Sequence, residues 1–120
     1  MIRSYRDLDV WNKSMSLVVD CYRLSENFPR SESYGLTSQL RRAAVSIPAN
    51  IAEGHARKYT KEFLHHLSIA CGSLAELETH LQISRYLGYS QQNNIEDLLH
   101  KTEEINRMLY ALRRSLEKKI

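Results

Sequence analysis

The chain lacks most of the signatures by which a sequence announces chemistry. It holds only four glycines, two prolines and two cysteines in 120 residues. There is no glycine-rich phosphate loop, no nucleophile elbow and no His-Glu-x-x-His, so motif-borne nucleotide, hydrolase and zinc-protease chemistry finds no support. Cys21 and Cys71 have no metal-type spacing and both fall within apolar stretches, so they read as reduced core thiols. No apolar run approaches the ~20 residues that span a bilayer, and the opening Met-Ile-Arg-Ser-Tyr-Arg-Asp lacks a signal peptide's apolar region. The expectation is a soluble, cytoplasmic protein. No stretch sustains a two-residue alternation bounded by turns, which argues against any sheet.

What is present is a composition of ordinary globular kind. Apolar residues make up 42% and charged residues 26%, enough to build one core, and the length suits a single domain over 1–120. Gly35, Gly54 and Gly88 stand near the points where helical patterns stop. Residues 29–35 read as a polar connector, Arg57–Thr60 as a second, and Gly88 as the left-handed residue that closes a third, with Ser90 as cap of the helix that follows. Three connectors predict four helices, at about 8–27, 36–56, 60–87 and 91–118. Apolar residues recur at helical spacing in each: Leu8, Trp11, Met15, Val18 and Tyr22 in the first; Leu36, Leu40, Ala44, Ile47 and Ile51 in the second. Leu67, Ala70, Leu74, Leu77 and Leu81 follow in the third, and Ile95, Leu98, Thr102, Ile105, Leu109, Leu112 and Leu116 in the fourth. Short connectors favour antiparallel neighbours, so the predicted fold is all-α, an up-down-up-down four-helix bundle.

Two features exceed what a bundle core requires. The first helix carries a second apolar line, Val10, Leu17, Cys21, Leu24 and Phe28, about 120° around from the Trp11 line. This line reads as an oligomer interface, the alternative being a wide arc buried in the bundle. The second feature is Pro48 inside a helical pattern that continues from Ile47 to Ile51, which predicts a kinked helix, not a terminated one. Asn50 and Glu53 stand near it, placed to bond the freed carbonyl or a neighbouring chain.

The stretch from Gly35 to Gly54, with its string Ser46-Ile-Pro48-Ala-Asn50-Ile-Ala-Glu53-Gly54, strongly resembles the family of four-helix bundles encoded in intervening sequences of 23S ribosomal RNA genes, sometimes labelled S23 ribosomal proteins. The likeness extends through Asp7-Leu-Asp-Val-Trp11, Arg57-Lys58, Lys61-Glu-Phe-Leu64, Ser68-Ile-Ala70, Gly72 to Thr79, and Leu87-Gly-Tyr89. The resemblance implies a four-helix bundle assembled as a ring-like homopentamer. It also implies kinship with the accessory variability protein of diversity-generating retroelements, a basic pentameric barrel that binds nucleic acid and a reverse transcriptase. The partners to expect are therefore further copies of the chain, RNA or DNA, or a protein partner such as a reverse transcriptase, with no membrane and no cofactor.

The predicted topology turns charge into a map. The start of helix 1, the second connector and the end of helix 4 share one end of the bundle. Arg3, Arg6, Lys13, Arg57, Lys58, Lys61, Arg113, Arg114, Lys118 and Lys119 fall there against five acids, a net +5, whereas the remainder carries −2 and the whole chain +3. Such an end attracts phosphate backbones, or else is a solvated helix end complementing the helix dipole. Tyr59, beside Arg57 and Lys58, either stacks on a base or packs against the next helical turn. Arg41 and Arg42 lie in the less basic half, where one is expected to pair with Glu76 or Glu78 or with a neighbouring subunit; Arg41, Arg42, Ser46, Pro48, Asn50, Glu53 and Gly54 together form the motif assigned to kink and assembly. The five histidines, His55, His65, His66, His80 and His100, offer no pairs on facing helices and read as exposed. Arg57 and His65, seven residues between them, are too far apart for the Arg–His motif of small helical ribonucleases. The expected function is non-enzymatic: a self-assembling bundle binding nucleic acid without sequence specificity, with a protein-binding scaffold as the alternative and a ribonuclease a distant third.

Overall fold

A computed structural model describes residues 3–120, and four long helices make up most of it: α1 (Asp9–Ser25), α2 (Leu36–Ala56), α3 (Thr60–Tyr86) and α4 (Gln92–Glu117). No strand occurs among the described residues. Each helix packs against the next, α4 returns to α1, and the diagonal pairs do not meet, which is the plan of a four-helix bundle. Side-chain links give the directions. On α1 and α4, Lys13 meets Glu104 and Asp20 meets Lys101; on α2 and α3, Ser46 meets Ser73 and Asn50 meets His66. On α3 and α4, Glu78 meets Thr102 and Cys71 meets Arg113. In every pair one number rises as the other falls, so these neighbours run antiparallel. The molecule measures 46 × 25 × 20 Å, its long axis close to the ~40 Å of a 27-residue helix.

The helix boundaries agree with the expected ones to within two residues. Gly88 has φ 72°, and Tyr89 N–H donates to Ser84 O while Gly88 N–H donates to Arg85 O. These two bonds are the closing pair that satisfies the last carbonyls of a helix. Ser90 is not the cap of α4: that position belongs to Gln91, with no side-chain bond. The first connector holds a short 3-10 turn, Arg30–Glu32, and a further one at Tyr5–Asp7 is closed by reciprocal bonds between Ser4 and Asp7. Glu32 fastens this end of the bundle. One carboxylate oxygen accepts the Leu36 N–H at 3.1 Å and the other accepts the Tyr89 hydroxyl at 2.8 Å.

The α1 faces correct the sequence reading. Val10, Leu17, Cys21 and Phe28 are buried within the bundle and Leu24 is half-buried; they are core, not oligomer interface. The line expected inside lies along the edge of the core and is only partly covered. Leu8 is buried and Trp11 and Val18 are half-buried, but Met15 is 42% and Tyr22 41% exposed. The reason lies in Ser14 and Ser25, both buried, whose hydroxyls donate to the carbonyls of Val10 and Cys21 at 2.7 Å. A hydrogen bond to its own helix offsets the cost of burying a hydroxyl, so Val10, Ser14, Leu17, Cys21 and Ser25 form a competent buried seam. α2 runs unbroken through Pro48, which is itself buried.

Candidate nucleic-acid interface

The antiparallel order brings the first turn of the chain, the α2–α3 connector and the C-terminus of α4 to one end. Arg3, Arg6, Lys58, Lys61, Arg114, Lys118 and Lys119 are exposed there. None of these seven side-chain charges has a carboxylate oxygen within 4.0 Å among the described residues, although the Arg3 backbone N–H donates to Asp7 at 3.2 Å. The other three expected members are engaged. Lys13 pairs with Glu104 at 2.5 Å, which holds that carboxyl below the usual carboxylate range. Arg57 bonds Glu53 at 2.9 Å and lies 4.0 Å from Glu62. Arg113 turns inward: it is half-buried, its Nη1 lies 3.6 Å from the Cys71 sulfur, and its Nε is buried without a partner. Arg113 is therefore withdrawn from the set, because α3 packs over its stem.

Three tyrosines accompany these cations: Tyr5, half-buried with the Arg6 guanidinium 4.9 Å from its ring centroid, and the exposed Tyr59 and Tyr110. The Lys58 ammonium lies 5.4 Å from the Tyr59 ring centroid, and the Arg114 guanidinium 5.7 Å from that of Tyr110. Arg114 also donates to the Tyr110 hydroxyl at 3.0 Å, a bond that raises the Arg114 pKa from its ordinary value. Sequence reasoning passes over Tyr110; the available signal is an aromatic four residues before Arg114.

The motif residues occupy two seams. Arg41 does not reach Glu76 or Glu78. Its Nε donates to Ser25 Oγ at 2.8 Å, its Nη2 to Tyr22 O at 3.3 Å, and its guanidinium covers the Tyr22 ring at 4.5 Å. It thus closes the last turn of α1, where carbonyls want donors and the dipole favours a cation. Arg42 is exposed. Between α2 and α3, Asn50 donates to the carbonyl and hydroxyl of Ser46, and Ser46 Oγ meets Ser73 Oγ at 2.8 Å. Asn50 Oδ1 lies 3.1 Å from His66 Nδ1, which assigns the proton of the neutral ring to Nδ1. Asn50 thus bonds Ser46, not the Ala44 carbonyl that Pro48 leaves free. Glu53 sits beside this chain, 3.9 Å from His66. At Gly54 the two helices approach closely, since an added Cβ would stand 2.7 Å from that of His66.

His65 and His100 are exposed as expected, but His55, His66 and His80 are not, His55 being half-buried. His80 is buried, with neither ring nitrogen hydrogen-bonded and Glu76 at 3.5 Å, and His66 is half-buried. Among the described residues no three His, Cys, Asp or Glu side chains come together as a metal site, and no helix is long and apolar enough to cross a membrane.

On the outer side of α1, Trp11, Met15, Val18 and Tyr22 follow one another at helical spacing, with Val19 46% exposed beside them. Because Arg41 of α2 lies over Tyr22, this stripe borders the α2 line of Arg41, Val45, Ala49 and Ala52. The result is a broad face of apolar and small side chains.

The family model described as 23S rRNA-intervening sequence protein matches residues 6–111 of the chain. Among solved structures, a protein with unknown function from the S23 ribosomal protein family of Bacteroides thetaiotaomicron is similar, with a TM-score of 0.78 and 25% sequence identity. That likeness covers 87% of this chain and 97% of the other. No curated protein matches.

Proposed function

The chain belongs to the 23S rRNA-intervening sequence protein family, and we propose that it acts without chemistry of its own, as a self-assembling bundle whose cationic end holds the phosphate backbone of RNA or DNA without reading sequence. The observation that carries this reading is the group of exposed cations without carboxylate partners: Arg3, Arg6, Lys58, Lys61, Arg114, Lys118 and Lys119. Like charges gathered at one end repel one another, and a polyanion relieves that repulsion while releasing its own counterions. Assembly multiplies the effect. A ring of five parallel copies, the form the family resemblance suggests, would carry about +25 on one rim. The surface available for assembly is the Trp11–Met15–Val18–Tyr22 stripe with Val45, Ala49 and Ala52, because exposed apolar faces of this extent mark association sites.

Charge reversal tests the cationic end. Lys58→Glu with Lys61→Glu and Lys118→Glu should weaken binding and flatten the dependence of log affinity on log salt by about 0.9 for each phosphate no longer neutralised. A wild-type protein that ignores nucleic acid at low salt would sink the proposal. Met15→Asp with Tyr22→Asp should reduce the light-scattering mass while leaving helicity intact. A second reading, a scaffold for a protein partner such as a reverse transcriptase, is favoured by the same stripe if the wild-type chain proves monomeric.

A further inference from the structure

We infer that the nucleic acid taken by the cationic end is single-stranded, held by base stacking on Tyr59 and Tyr110 as well as by phosphate contacts; the inference rests on the proposed function and narrows it to one substrate class. The two rings are 60% and 59% exposed, so neither contributes much to the core. Tyr59 caps α3, its backbone fixed by a carbonyl that accepts the N–H groups of Glu62 and Phe63, and the Tyr110 ring is tied to Arg114 one turn later through its hydroxyl. Each ring has a cation over it, Lys58 at 5.4 Å and Arg114 at 5.7 Å.

A ring with a cation alongside offers a base face and a phosphate partner within one nucleotide's reach. A single strand presents both groups together, and stacking on an aromatic ring is tolerant of base identity because every base has a π-face. In a duplex the base faces are stacked on one another and only the backbone and the base edges in the grooves are accessible, so stacking on exposed tyrosines would add nothing to duplex binding. The opposite end supplies an internal control. Tyr86 is 78% exposed and Arg85 lies 5.4 Å from its ring, the same pairing, but in the part of the chain where acids outnumber bases. Without a surrounding cationic field, that pair should bind nothing.

Fluorescence anisotropy on the full chain decides the matter, using labelled oligo-uridine and oligo-thymidine 12-mers against a 12-base-pair duplex. The wild type should prefer both single strands to the duplex. Tyr59→Ala and Tyr110→Ala should each lower single-strand affinity by about five- to a hundred-fold, with an unchanged salt slope and duplex affinity within about twofold. Tyr59→Phe and Tyr110→Phe should retain binding, since the ring persists, and Tyr86→Ala should change nothing. Duplex binding equal to or tighter than single-strand binding would overturn the inference. So would alanine variants that bind as the wild type does, even though charge reversal still abolishes binding and the proposed function stands. A wild type that binds neither form would remove both.

Discussion

Leu17→Ala and Met15→Ala, two residues apart on α1, should behave as if they belonged to different proteins. Leu17 has no exposed surface, whereas Met15 is 42% exposed. Truncating Leu17 removes three buried carbons at ~0.8 kcal/mol each, and the cavity left in a closed bundle raises the cost to about 3.5 kcal/mol. At ~2.1 cal/mol/K per residue the unfolding entropy of this chain is about 0.25 kcal/mol/K, so the melting temperature should fall by about 14 °C. Met15→Ala forfeits only the covered part of its side chain, about 1 kcal/mol or about 4 °C. Helical ellipticity at 222 nm followed through melts at several protein concentrations is the assay. The concentration series matters because association itself raises the apparent melting temperature by mass action; Leu17→Ala should lose stability at every concentration, Met15→Ala mainly where the wild type associates. If Met15→Ala costs as much as Leu17→Ala throughout, or Leu17→Ala dissociates the protein without destabilising the chain, the assignment of the α1 faces is reversed.

Glycine substitutions should split in the same way. Gly54→Ala would place a Cβ 2.7 Å from His66 Cβ and 2.9 Å from the Phe63 ring and should destabilise by about 2 kcal/mol in urea titration. Gly72→Ala meets nothing within 4 Å and should stabilise by up to about 1 kcal/mol. Burial pushes the Cys21 thiol up to about 12, whereas Cys71 is only half-buried. Iodoacetamide at pH 8 should therefore label one thiol per native chain and two in denaturant. The sign of the linkage is fixed: above the ordinary thiol value of 9.0 the unfolded chain releases the Cys21 proton and the folded chain keeps it. Stability should thus fall between pH 9 and about 12, and Cys21→Ala should remove that component. The hydrogen bond to Glu32 raises the Tyr89 pKa above its ordinary 10.0; Glu32→Gln should bring the phenol's absorbance titration back toward that value.

The helices were legible because their ends carry local chemistry. Gly88 needs its positive φ, and the long α4 stripe admits only one period. Which side of α1 faces inward was not legible, since helical arithmetic sets the angle between two apolar lines and says nothing of which one points to the core. The deciding residues, Ser14 and Ser25, look polar in a sequence and are self-satisfied in the fold. Arg41 misled for a related reason. A guanidinium suggests a carboxylate partner, but here the acceptors are a hydroxyl, a helix-terminal carbonyl and an aromatic face, none of which a charge count reveals. The cationic end could be assembled from topology alone. That Arg113 points away from it depends on how α3 covers α4, a matter of packing.

The two ion pairs between α1 and α4 are crossed: Lys13 of α1 meets an acid, and seven residues later Asp20 meets a base. Seven residues is also the step after which a helix presents the same face again, so a bundle that slipped by one such step would keep its apolar seam in contact. Slipped one way, Lys13 would arrive opposite Lys101; slipped the other, Asp20 would arrive opposite Glu104. Each error replaces an attraction with a repulsion of about 1 kcal/mol at the surface. Pairs that contribute little to the depth of the native state can in this way separate it from its nearest imitations, and the charges along this groove act as a vernier for the alignment of α1 on α4.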